Sequence, residues 1–225
     1  MQDPVQIQAL TDAEIDALVF VREEEKLARD VYATLGAAWG DAVFSNIAVA
    51  EQNHMDAVKT LLDKHEIVDP VTDDSVGVFT NPVLQQLYDD LTSDAVVDLS
   101  YAGVDVQMQG GASSYLAALQ VGAFIEEFDI LDLMRNQDDI AAPDVANVFA
   151  NLLAGSENHL RAFNARLEAV GNPYEPVLMT GMDAELGDLD ALYASIIGAE
   201  QATGQQNAGT QRQARDGAFA QLATT

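Results

Sequence analysis

Ala50-Glu51-Gln52-Asn53-His54-Met55-Asp56-Ala57 returns 105 residues later as Gly155-Ser156-Glu157-Asn158-His159-Leu160-Arg161-Ala162, and Leu62 and Leu167 extend the match. A segment that recurs with a histidine at the same place in each copy marks a duplicated helical hairpin. Two such hairpins facing one core predict an all-α bundle with a pseudo-twofold relation between its halves.

Four amphipathic stretches fit that reading. The first opens at Thr11, where Thr11 and Glu14 have the spacing of a capping box, and runs to Tyr32 or beyond, with Leu18, Val21, Glu25, Ala28 and Tyr32 on its inward stripe. The second spans Asp41 to Lys64, with Phe44, Ile47, Glu51, His54, Val58 and Leu61 inward. The third covers Ser113 to Arg135 (Leu119, Ala123, Glu126, Ile130, Leu133). The fourth starts after Ala142-Pro143 and ends near Val170 (Val148, Leu152, Gly155, His159, Ala162). Between the second and third lies a long crossover, residues 66–111, in which Pro82 to Leu91 reads as a short helix with proline in its first turn. Val96 to Val106 reads only weakly as strand. The expected organisation is one helical domain over residues 1–180, followed by a short helix from Asp183 to about Gln201 and a Gln/Gly/Ala-rich tail within 181–225.

Composition narrows the function. The chain has 225 residues, 37 of them acidic against 10 basic, and a formal charge of -27. Such a charge repels phosphate backbones, which excludes nucleic acid as a partner, and it disfavours anionic lipid. The 24 Asp and 3 Lys read as a surface hydrated against strong salt, where screening shortens repulsion to about 3 Å at 1 M. No apolar run reaches the roughly 20 residues of a membrane span. The start at Met1-Gln2-Asp3-Pro4 lacks the pattern of a signal peptide, so the reading leaves open a cytoplasmic protein or an exported one whose signal has been removed. A homo-oligomer is compatible with the sequence. There is no Cys, which rules out disulfides, thiolate metal sites and cysteine nucleophiles, so a metal would be held by carboxylates and imidazoles.

Polar residues on inward stripes are the anomaly that carries chemistry. An unpaired buried carboxylate or imidazole costs several kcal/mol. Glu25, Glu51, His54, Glu126 and His159 all fall there, and a divalent cation would compensate them together. Glu51-x-x-His54 places both groups on one helical face. The alternatives are an ion pair of Glu25 with Arg29, a hydrogen-bonded Glu51–His54 pair, and Glu127 in place of Glu126. Asp129 and Glu157 are less certain ligands. Tyr32 and Tyr88 are candidates for groups that bond the ligands or carry a radical, with core packing as the alternative, and no catalytic residue is assigned. His65 is read as a surface residue at a helix end.

The pattern Glu25-Lys26-Leu27-Ala28-Arg29-Asp30-Val31-Tyr32, with Glu51 to His54 and Glu126 with Asp129, resembles the ferritin-like, rubrerythrin-type carboxylate proteins. Glu126-Glu127-x-Asp129-Ile130-x-Asp132-Leu133 and Asn158-His159-Leu160-Arg161-Ala162-Phe163 further resemble an uncharacterised ferritin-like family, domain of unknown function 2202, over residues 12–180. The resemblance implies a ferritin-like four-helix bundle holding iron or manganese, with zinc as a further option, and oxidoreductase chemistry on oxygen or peroxide. Glu51 would bridge two ions, Glu25 and Glu126 would be terminal, and His54 and His159 would each cap one. Ser156 stands where that family pattern has a second Glu, so the ion beside Glu126 and His159 is expected to be the weaker. The rival expectations are non-catalytic binding, storage or sensing of metal, including one zinc, and a structural helical module with a vestigial site.

Overall fold

The architecture comes from a computed structural model, which describes residues 9–180 and 186–198. Met1–Pro4, the start of the last expected helix at Asp183 and the tail lie outside the described residues. The chain runs α1 (Asp12–Trp39), α2 (Ala42–Lys64), α3 (Pro82–Leu91), β1 (Val96–Tyr101), β2 (Val104–Gln109), α4 (Tyr115–Asn136), a 3-10 turn (Gln137–Asp139), α5 (Pro143–Ala169) and α6 (Leu189–Gly198). It is mostly helical, with one two-stranded sheet among the described residues.

Local chemistry sets the helix ends. Thr11 and Glu14 make the capping box that the spacing predicts, each satisfying the other's backbone donor. Gly40, at φ 72°, ends α1 in the left-handed region, and Asp41 caps α2 straight afterwards. Asn81 caps α3 ahead of Pro82, and Ser114 caps α4. A connection this short between α1 and α2 makes them neighbours, and α4 and α5 pair likewise. The long helices close on one another through α1 with α4 and α2 with α5. The core between them holds Leu18, Val31, Phe44, Val58, Leu119, Ile130, Leu152 and Phe163, among others.

Three expectations are corrected. First, residues 96–109 form an antiparallel hairpin, Val96 opposite Gln109 and Tyr101 opposite Val104. Val97, Leu99 and Tyr101 alternate to one face with Val104, Val106 and Met108, and that face packs on the core. The turn residues Ala102 and Gly103 both have positive φ, 50° and 84°. This is the two-residue turn that suits hairpins, but with alanine where Asn or Asp is the usual signal. Second, the buried stripe of α5 is Val145, Phe149, Leu152, Leu153, Ser156, Leu160, Phe163, Asn164 and Leu167. Val148, Gly155, His159 and Ala162 are only partly buried, on its flank. Third, the His65 ring is 4% exposed and meets Asp144 Oδ2 through Nε2 at 2.7 Å, so it joins α2 to the first turn of α5.

The crossover explains why α1 is buried on so many sides. Arg22 grips Asp69 with two hydrogen bonds of 3.1 and 3.2 Å. Glu23 accepts from the backbone of Thr80 and Asn81. The fully buried Lys26 donates to Asp30 and to the Ser75 carbonyl, and Asp30 accepts from Gly77 N. Residues 69–81 thus lie along α1, clasped by its Arg22, Glu23, Lys26 and Asp30.

Candidate metal centre

Three helices deliver carboxylates to one point. Glu25 of α1, Glu51 of α2 and Glu126 of α4 are each 1% exposed. His54, one turn after Glu51, and His159 of α5 stand at the rim, with side chains 16% and 12% exposed. Their rings stack at 5.5 Å between centroids. Gly155 makes room for this: a Cβ there would stand 2.5 Å from Cε1 and Nε2 of His54.

Glu51 reaches both imidazoles. Its Oε2 lies 2.7 Å from His54 Nδ1, and its Oε1 lies 2.7 Å from His159 Nδ1. Glu25 Oε2 approaches His54 Nδ1 at 3.1 Å, and Glu126 Oε2 approaches His159 Nδ1 at 3.5 Å. Two triads result, Glu25/Glu51/His54 and Glu51/Glu126/His159, each offering ligand atoms within 4.8 Å of one another. Despite the short contact, Glu51 Oε1 and His159 Nδ1 have no hydrogen-bond partner, and neither has Glu25 Oε1. Buried polar atoms left in this state are what a cation would satisfy, so the donor set fits two divalent ions sharing one carboxylate.

The charges are mutually dependent. Burial, then the nearby Asp129 charge, pushes Glu25 well above the usual carboxylate range. Burial and the Glu51 charge push Glu126 up to about 7. Burial acts on Glu51 in the same direction, but the imidazoles of His159 and His54 outweigh it and bring that group down to about 2. Burial pulls both histidines down, yet the adjoining carboxylates overcome it, taking His54 to about 11 and His159 to about 10. Without metal, protons hold this cluster together. Metal binding must release them.

The remaining candidates fall at different distances from this point. Tyr32 is fully buried, donates to Glu126 Oε1 at 2.5 Å and packs against Phe44 and Phe163. Asp129 is buried beside the triads, accepts from the Ser156 hydroxyl through Oδ2 and leaves Oδ1 without a partner. Arg29 turns to Asp30, Asp74 and Gln52, which leaves no Glu25–Arg29 pair. Glu127 does not join the cluster. One step around α4, it accepts from the Tyr174 hydroxyl and from the backbone of Val177, Leu178 and Met179, anchoring the chain after α5. Glu157 is half-buried and belongs to neither triad. Tyr88 shares a hydrogen bond with Thr34 and packs at a tilt against Phe79.

Sequence reasoning missed Glu24. It is 1% exposed, and neither carboxylate oxygen has a hydrogen-bond partner. Burial first, then the charges of Asp132, Asp129, Glu25 and Glu126, raise it well above the usual range. The available signal was the run Glu23-Glu24-Glu25. Three successive residues cover most of a helix's circumference at about 100° each, so a helix wrapped on several sides has to bury more than one.

The chain belongs to an uncharacterized protein family, the DUF2202 domain, whose profile matches residues 14–186. Among its relatives is the uncharacterized protein MJ0754 of Methanocaldococcus jannaschii, 44% identical over 169 residues that cover 75% of this chain and 83% of the relative. The fold is similar to the crystal structure of hypothetical protein MJ0754 from Methanococcus jannaschii, with TM-score 0.72 and 39% identity across 87% of this chain and 98% of that one. No helix among the described residues is long and apolar enough to cross a membrane.

Proposed function

We propose that the protein is a ferritin-like, four-helix carboxylate–imidazole metalloprotein that binds two iron or manganese ions and performs redox chemistry with oxygen or peroxide. The observation that carries this reading is Glu51, whose two oxygens each lie 2.7 Å from a different imidazole nitrogen. Glu25 and His54 would complete one position, and Glu126 and His159 the other. Three carboxylates and two neutral imidazoles nearly balance two dications, and this mixed oxygen and nitrogen set suits iron, manganese or zinc better than Cu(I). Bound iron would supply electron transfer. The chain's own groups fix the ligands, exclude water through the Phe44–Phe163 packing and hold a proton on Tyr32 beside Glu126.

The test is His54→Ala on the full chain. Elemental analysis should lose metal from the first position. The melting temperature should also fall, because a ligand of the folded state stabilises by mass action. Fe(II) oxidation by oxygen or peroxide should drop with it. Unchanged metal stoichiometry would remove the site. Full occupancy without any turnover would leave the second reading, metal binding or storage without catalysis. That reading is favoured by the engagement of Glu126 with Tyr32, which holds the second position's terminal carboxylate in a hydrogen bond.

A further inference from the structure

On the paired-ion reading of the site, we infer that Tyr32 is a positioning residue that withholds one oxygen of Glu126 from the ion beside His159. That ion, and not its neighbour beside His54, is then the place for a small exogenous ligand such as water, oxygen or peroxide. The two terminal carboxylates differ in a way that carries this. Glu126 has one oxygen committed: the Tyr32 hydroxyl donates to Oε1 at 2.5 Å, and Oε2 is left facing His159 Nδ1 at 3.5 Å. Neither oxygen of Glu25 is tied to a group outside the triads. Its Oε2 faces His54 Nδ1 at 3.1 Å, and its Oε1 is buried without a hydrogen-bond partner.

The duplicated hairpin carries the difference in its sequence. Glu25 and Glu126 occupy corresponding places in the two triads, and seven residues on in each helix stand Tyr32 and Leu133. Seven residues are about two helical turns. Tyr32 of α1 reaches across to Glu126 of α4, whereas Leu133, buried and apolar, has no donor to return to Glu25. The phenol is also fixed in place. Its hydroxyl lies 3.2 Å from the Gly122 carbonyl, one turn before Glu126, and its ring packs against Phe163 at 5.1 Å between centroids. Phe163 is itself seated on Gly122, where a Cβ would fall 2.4 Å from the ring. Tyr32 cannot turn aside to release Glu126 without displacing this packing.

The donors offered to the two ions are therefore unequal. The ion at Glu25, Glu51 and His54 is offered both oxygens of Glu25, Glu51 Oε2 and His54 Nδ1. The ion at Glu126, Glu51 and His159 is offered only Glu126 Oε2, Glu51 Oε1 and His159 Nδ1. Dications such as Mn(II) and Fe(II) accept up to about six donors, so the second ion has one more place to fill from outside the protein. On the side of Tyr32 and Phe163 the packing admits only a small molecule. Binding at this place does not require turnover, so it holds for a catalytic and for a non-catalytic metal site alike.

Azide is the probe, a small anion that occupies open metal positions without being consumed. Full-length protein is freed of metal and loaded with Co(II), whose visible absorption weakens as its coordination number rises, and bound cobalt is counted by elemental analysis. The expected result is two Co(II) and one azide per chain. Tyr32→Phe should keep both ions, show weaker absorption before azide is added, and bind azide about 10-fold or more weakly, the scale on which groups that support metal ligands act. Both ions retained with unchanged absorption and azide affinity would overturn the role of Tyr32 and leave the paired site intact. A count below two in the unmodified protein would defeat the paired reading, and the role of Tyr32 with it. Should Tyr32→Phe fail to fold, crystals of the unmodified protein grown with Mn(II) and soaked in azide give the decision. Glu25 binding through both oxygens, Glu126 through one, and azide on the ion beside His159 are expected there. Azide on the ion beside His54, or Glu126 binding through both oxygens, would overturn the assignment.

Discussion

An alanine at position 155 would bring its methyl carbon within 2.5 Å of the His54 ring. Inside α5, Gly155→Ala should gain about 1 kcal/mol from helix propensity alone. Crowding of a packed position costs about 1–3 kcal/mol and opposes that gain. The imidazole has somewhere to go, because it stands at the rim and not in the core. The expected outcome is therefore a protein of near-normal stability in which His54 is displaced from Glu51 and Glu25. Calorimetric titration with Mn(II) or Zn(II) should show affinity at that triad weakened about 10-fold or more, in the range found when a ligand's support is lost. The Glu51/Glu126/His159 triad should change less. Equal weakening at both, or none at either, would show that Gly155 does not position His54. Ser156, its neighbour, has a different task from the carboxylate expected at its place. It is fully buried and donates to Asp129 of α4.

At the scale of elements, the hairpin β1–β2 contains the position most open to improvement. Ala102 holds φ at 50°, a conformation that costs a side-chain-bearing residue roughly 1–2 kcal/mol. Ala102→Gly should raise stability by about 1 kcal/mol after the entropy of glycine is deducted. Thermal or urea denaturation measures this, and a destabilised variant would mean the turn is not the one described. The same alanine explains why the strands were hard to read. The alternation from Val96 to Val106 was present, but the turn lacked its usual residues. By contrast, helix starts announced themselves through Thr11 and Glu14, Pro82 and Pro143. Glu25, Glu51, His54, Glu126 and His159 were legible because a polar residue on an apolar stripe has few explanations. Glu24, Lys26, Asp30 and Glu127 were not. Their burial depends on the crossover and on the chain after α5, and these non-local contacts leave no periodic trace in α1 or α4.

Over the whole molecule, protonation and ionic strength should move stability in ways that separate the interior from the surface. Burial and neighbouring charges lift Glu126 to about 7 and Asp129 to about 8, and the carboxylates lift His54 and His159 to about 11 and about 10. Each of these groups binds its proton more tightly folded than unfolded. Their contribution is complete below the unfolded values and is lost as pH rises through the folded ones. The metal-free protein should therefore melt at a lower temperature at pH 9 than at pH 5.5. Added Mn(II) should reverse the trend, since the cation replaces the protons. A metal-free melting temperature that rises over this range would contradict the assigned burial. The surface responds to a different variable. With 37 acidic residues against 10 basic ones, the melting temperature should climb as potassium chloride goes from low to molar concentration. A flat or falling curve would mean that surface repulsion is not a significant term.

Glu23, Glu24 and Glu25 occupy adjacent positions on α1, yet one holds the crossover backbone, one is buried with no hydrogen-bond partner, and one faces His54. The helix is fixed at its other end, where Glu14 accepts from the first backbone donors ahead of α5, Ala141 N and Ala142 N. The stretch between Glu14 and Glu23 thus acts as a phase setting. Losing or gaining a single residue there would turn all three carboxylates by about 100°, exchanging a structural clasp for a ligand and a ligand for a buried, unsupported charge. Substitutions along these two turns can be absorbed one at a time, but a change of length cannot.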